Sequence, residues 1–172
     1  MQRIKENGYK IETAEGMYYP VIDYSIYQKY DSMLPGDIAA YHNLMAAESN
    51  KAAAKDAALV ISWNEVIQRA LAQEKFLSQY ENSAKAAEVK ELYKRYVVFT
   101  FYGANNTPLF DYETKTMNKE AKDAYEQAAG LDANSKLLTQ LKSYLTILAN
   151  NHDKLTDEVN QFRKAAVDHL TK

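Results

Sequence analysis

The stretch Asp56–Tyr80, DAALVISWNEVIQRALAQEKFLSQY, decides the fold. Leu59, Trp63, Val66, Ile67, Ala70, Leu71 and Leu77 recur along it with the 3.6-residue period of an α-helix and mark one continuous apolar face. Its start is open to two readings. The helix runs from about Asp56, or it begins at Ser62, which stands at capping-box spacing from Glu65.

Downstream, Glu81-Asn82-Ser83 breaks the pattern, with Asn82 or Ser83 as the next cap. A following helix carries Val89, Leu92, Tyr93, Tyr96 and Phe99 and stops at Gly103. Residues 104–117 form the longest irregular segment. Three more helices are expected over Asn118–Ala129, Ser135–Asn150 and Lys154–Leu170, the first stopped by Gly130. Upstream, Tyr9–Thr13 alternates large and charged residues as a half-exposed strand does. Ala14-Glu15-Gly16 supplies a turn, and Met17–Ile22 reads as an edge strand because of Pro20. Asp23 then caps a helix carrying Ile26, Tyr27, Tyr30 and Leu34. After Pro35-Gly36 another helix runs from Asp37 to about Asn50.

The expected fold is therefore mainly α: one domain over residues 1–172, a six- to seven-helix antiparallel or orthogonal bundle with a short N-terminal β-hairpin. A compact bundle and a short superhelix of helix pairs both fit. Only five Gly and three Pro interrupt the 172 residues, which favours a few long helices over many short strands. Residues 1–8 read as the end of an upstream helix or linker, with Gly8 at its C′ position. The expectation is that an export signal or tether preceded them.

The net charge is −2 and no block of Lys or Arg stands out, so the footprint of a nucleic-acid binder is missing. The chain has no Cys, which excludes disulfide frameworks, thiol nucleophiles and thiolate metal sites. There is no nucleophile elbow and no Gly-rich phosphate loop. His42, His152 and His169 lie far apart in sequence, and no metal or other cofactor is expected. Asp111, Glu113 and Thr114 lack the ligand pattern of a calcium loop.

Two resemblances add to this reading. Phe76-Leu77-x-x-Tyr80-x-Asn82-Ser83-x-x-Ala86 resembles the inter-repeat turn of tetratricopeptide proteins, although that family usually has Pro where Glu81 stands. It implies a helix–turn–helix there and nothing further. The segments Glu15–Tyr24, Ala54–Trp63 and Gly103–Tyr112 look like ones in uncharacterised exported proteins of Gram-positive bacteria, which often carry a lipoprotein signal. That resemblance implies an extracellular or envelope location and no activity.

Fourteen Tyr against five Phe and one Trp is the most unusual compositional feature. A phenol joins an apolar ring to a polar tip, which suits a half-wet binding surface. The plainer reading is that these rings close the ends of the helical core. The candidate binding surface comprises Glu15, Tyr18, Tyr19, Asp23 and Tyr24 near the hairpin, and Asn105, Asn106, Asp111 and Tyr112 in the long loop. Glu15 and Asp23 are also the carboxylate pair for any acid–base chemistry, against plain turn and cap roles. The expected function is a non-enzymatic interaction domain of an exported envelope protein. Its partner would be a protein or a cell-wall component, not nucleic acid, and it would reach a membrane only through a lipid anchor. An enzyme acting on envelope glycan or peptide and a cytosolic helical adaptor are the competing expectations.

Overall fold

The computed structural model describes residues 2–14, 16–131 and 134–172. The chain is mainly helical with a short N-terminal antiparallel hairpin, as the sequence predicts. A short helix α1 (Gln2–Glu6) leads into strands β1 (Tyr9–Ala14) and β2 (Met17–Ile22). Gly8, at φ +81°, makes the bend between α1 and β1, as the sequence predicts. A 3-10 helix (Tyr24–Met33) and α2 (Gly36–Asn50) follow.

The next element corrects the longer reading of the deciding stretch. Ala54–Lys55 (β3) and Ala58–Leu59 (β4) form a two-residue hairpin, and α3 spans Trp63–Gln79. Asp56 and Ala57 take φ of +49° and +59° to make its turn. Alanine-rich sequence favours a helix here, but tertiary partners override it. The Asn106 main-chain and side-chain amides donate to the carbonyls of Ala57 and Asp56, each at 2.8 Å, and the Leu59 amide donates to Thr107 Oγ1. The helix begins where Ser62 caps it, accepting from the Glu65 amide at 3.2 Å. The capping box is only half formed, because the Glu65 carboxylate turns to Arg69.

Beyond α3 come α4 (Ala86–Tyr102), the hairpin β5 (Gly103–Ala104) and β6 (Thr107–Pro108), then α5 (Lys119–Ala129), α6 (Lys136–Asn150) and α7 (Asp157–Thr171). The segment expected to be irregular thus contains the β5–β6 pair and a bridge between Phe110 and Met117. Asn118, Ser135 and Thr156 cap α5, α6 and α7 through the amide three residues on. The last helix therefore starts later than Lys154. Before α4, Ser83 does not occupy the N-cap; its hydroxyl accepts from the Lys85 amide and donates to Asp37.

The helices close on themselves. α3 packs against α4 and α5, α4 against α7, α7 against α6, and α6 against α5. This ring is a bundle around one interior, not an open superhelix. Tyr96, Tyr125, Tyr144, Phe101 and Leu141 fill it. α2 lies outside against α3 and carries the 3-10 helix. Tyr41, Phe76 and Val89 form a smaller second core beneath it.

Candidate functional site

The β1–β2 register divides the hairpin into two faces. Lys10 stands opposite Val21 and Glu12 opposite Tyr19, and this face is tied to the body. Lys10 Nζ donates to Asn50 Oδ1 at 3.1 Å, and Lys55 Nζ to Glu12 Oε2 at 2.7 Å. The other face carries Tyr9 opposite Ile22, Ile11 opposite Pro20 and Thr13 opposite Tyr18. It is apolar and wet, with Tyr18 78% exposed, Tyr9 42% and Ile22 40%.

The 3-10 helix continues this exposure, since none of its residues is buried. Ile26, Tyr27, Tyr30 and Met33 all remain accessible on it. Asp23 caps it as the sequence predicts, accepting from the Ser25 amide at 3.2 Å and the Ser25 hydroxyl at 2.5 Å. Tyr24 turns inward, with its ring edge-on to Tyr41 at 6.0 Å. Glu15 lies outside the described residues.

The loop candidates form their own cluster. Asn106 binds the β3–β4 turn, and the Tyr112 hydroxyl donates to the Asn105 carbonyl at 2.9 Å, leaving the Tyr112 ring 63% exposed. Asp111 Oδ1 accepts from the amides of Thr114 and Glu113, which hold its carboxyl below the ordinary range. Its role is a turn. Lys55 and Asp56 connect the two candidate regions, Lys55 bonding the first hairpin and Asp56 the loop. The β3–β4 hairpin that joins them went unseen in the sequence because its turn residues read as helix.

Sequence reading also missed a polar cluster under the 3-10 helix. Tyr24 Oη lies 3.5 Å from Tyr41 Oη, and the Tyr41 hydroxyl donates to Glu88. His42 Nδ1 stands 3.4 Å from Asp31 Oδ1, among the rings of Tyr24, Tyr27 and Tyr41. Lys85 Nζ sits 4.4 Å over the Tyr41 ring. The partners come from the 3-10 helix, α2 and α4, so no periodicity could announce them. Burial, then the Glu88 carboxylate, holds the Tyr41 phenol far above its usual range. Tyr41 serves there as a hydrogen-bond donor to Glu88.

Among the described residues no three His, Asp or Glu side chains are placed to hold a metal ion, and no helix is long and apolar enough to cross a membrane. No protein-family model matches the chain, and no curated protein or solved structure is significantly similar to it.

Proposed function

We propose that this domain is a non-enzymatic interaction module of an exported cell-envelope protein, and that it meets a protein partner through the outer face of β1–β2 and the adjoining 3-10 helix. One observation carries the reading. Of the thirteen large apolar side chains left exposed among the described residues, seven lie on the outer face of β1–β2 (Tyr9, Tyr18, Ile22) or on the 3-10 helix (Ile26, Tyr27, Tyr30, Met33). Scattered exposed hydrophobics need no explanation, whereas a contiguous apolar patch is costly to leave in water and marks a contact surface. Tyr, which dominates this patch, is enriched where proteins meet. The tether through Lys10 and Lys55 fixes one face and so presents the other, which lowers the ordering cost of binding.

The exported location rests on the three segments that look like exported Gram-positive proteins and on the absence of Cys. The acid–base reading has less to draw on, since Asp23 is engaged as a cap.

The test compares the parent with a Tyr18→Ser, Ile22→Ser double variant as baits in cell-envelope extract. Both are exposed positions, so the two proteins should melt together. The expected result is a specific protein retained by the parent and lost by the variant, with cross-links mapping to residues 9–33. Equal retention by both would overturn the surface. Turnover of envelope glycan or peptide by the purified domain would overturn the class.

A further inference from the structure

A second candidate surface lies away from the hairpin. It is an open groove of about 1180 Å³ bounded by α3, the starts of α4 and α6, and the end of α7. Leu71, Leu77, Leu138 and Leu170 give it an apolar floor. Its rim carries one lysine from each side: Lys75 on α3, Lys90 on α4, Lys136 on α6 and Lys172 just after α7.

Elsewhere on the surface Lys51, Lys55, Lys85, Lys94 and Lys122 each pair with a carboxylate, whereas among the described residues Lys29, Lys142 and Lys164 do not. Among the described residues, none of the four rim lysines has a carboxylate side chain within ion-pair distance. Lys90 Nζ donates to the main-chain oxygen of Lys172 at 2.5 Å. Nor do the two carboxylates of the groove cancel the rim. Glu74 is engaged at the α6 N-terminus, accepting from the Ser135 hydroxyl at 2.5 Å, the Leu137 amide at 3.0 Å and the Tyr93 hydroxyl at 3.4 Å. The lining thus carries four lysines against the two carboxylates of Glu74 and Glu81. In a chain of net charge −2, the lining of this groove carries an excess of lysines over glutamates.

We propose that this groove binds an acidic, extended peptide segment of a partner protein, with apolar side chains on the leucine floor and carboxylates on the lysine rim. The charge selects the sign of the ligand, and the floor selects a ligand with apolar side chains over a free anion. The space of about 1180 Å³ lies near the upper end of the roughly 300–1000 Å³ of ordinary small-molecule pockets and opens to solvent, which admits a short peptide. The site shares no residue with the hairpin patch, so each can fail alone.

Selection of a random dodecapeptide display library on the full chain tests this, followed by fluorescence anisotropy with a synthetic copy of the leading peptide. The expected peptides are rich in Asp and Glu around one or two Leu or Phe. Their affinity should fall about tenfold or more in the Lys75→Glu, Lys136→Glu variant or on raising salt to about 0.5 M. The Lys75→Arg, Lys136→Arg variant, Lys142→Glu on another part of α6, and the hairpin variant Tyr18→Ser, Ile22→Ser should all bind like the parent. Enrichment of neutral or basic peptides, no enrichment at all, or binding indifferent to the charge reversal would overturn the proposal.

Discussion

The Arg69 guanidinium lies 3.2 Å from the Glu48 carboxylate, and both share the Tyr96 hydroxyl, which donates to Glu48 at 2.5 Å. Arg69 also donates to the Lys51 carbonyl at 2.9 Å and pairs with Glu65 at 2.5 Å. With the guanidinium only 9% exposed, this network clamps the end of α2 onto α3 and α4.

Removing one member leaves the other charge buried without its counter-ion. Arg69→Ala is expected to cost about 3–5 kcal/mol of unfolding free energy in a urea titration. The double variant Arg69→Met, Glu48→Leu should recover much of that loss, since an apolar pair leaves no stranded charge. Equal losses for the single and double variants would show that the clamp works through packing alone.

Two fully buried tyrosines should respond oppositely to loss of the hydroxyl. Tyr144 stacks on Phe162 at 5.6 Å, and its hydroxyl has no hydrogen-bond partner among the described residues. Tyr144→Phe removes an uncompensated polar atom and should leave stability unchanged or raise it by about 1 kcal/mol. Tyr96→Phe deprives Arg69 and Glu48 of a shared partner and should lower it by about 1–3 kcal/mol. Thermal melts of the two variants side by side decide the matter.

Two positive-φ positions, Ala57 in the β3–β4 turn and Gly103 at the start of β5, give a second opposed pair. Ala57 holds φ +59°, a conformation that opposes a Cβ, so Ala57→Gly should stabilise by about 0.5–1 kcal/mol. Gly103 has φ +77°, and a Cβ there would lie 2.3 Å from the Thr107 carbonyl oxygen. Gly103→Ala should therefore cost more than about 2 kcal/mol. Denaturant midpoints moving in opposite directions are the expected readout.

Acid should weaken the Tyr41–Glu88 contact. The Tyr41 hydroxyl first, and Lys85 after it, hold the Glu88 carboxyl below its usual range against partial desolvation. The folded state then binds fewer protons than the unfolded chain as pH falls, so the stabilisation is complete above the unfolded carboxyl pKa. It is lost as pH drops through the lower folded value. Glu88→Gln should be less stable than the parent near neutrality and converge with it below about pH 4. A stability gap unchanged down to that pH would disprove the linkage.

Much of this architecture was legible because its causes are local. The α3 stripe, the Ser62 cap, the helix starts near Asn118 and Ser135, the Gly8 bend and the Gly103 stop all act within a turn or two of the chain. The N-terminal hairpin followed from alternation and a short turn for the same reason. The 3-10 form of Tyr24–Met33 was less legible. Its aromatic spacing fits a helix of either kind, and packing of the segment on α2 accompanies the tighter one.

The sequence by itself determined which segments are helices, where most of them start and stop, and that Tyr is concentrated near the N-terminus. Only the tertiary structure decided which of those rings stay wet, such as Tyr18, and which turn inward, such as Tyr24. It also set the left-handed turn at Asp56 and Ala57, the clamp around Arg69 and the lysine-rimmed groove. Each of these joins residues tens of positions apart, as Glu48 meets Tyr96 and Asp56 meets Asn106. Periodicity and capping are short-range signals, whereas such contacts exist only once chain closure has brought distant segments together.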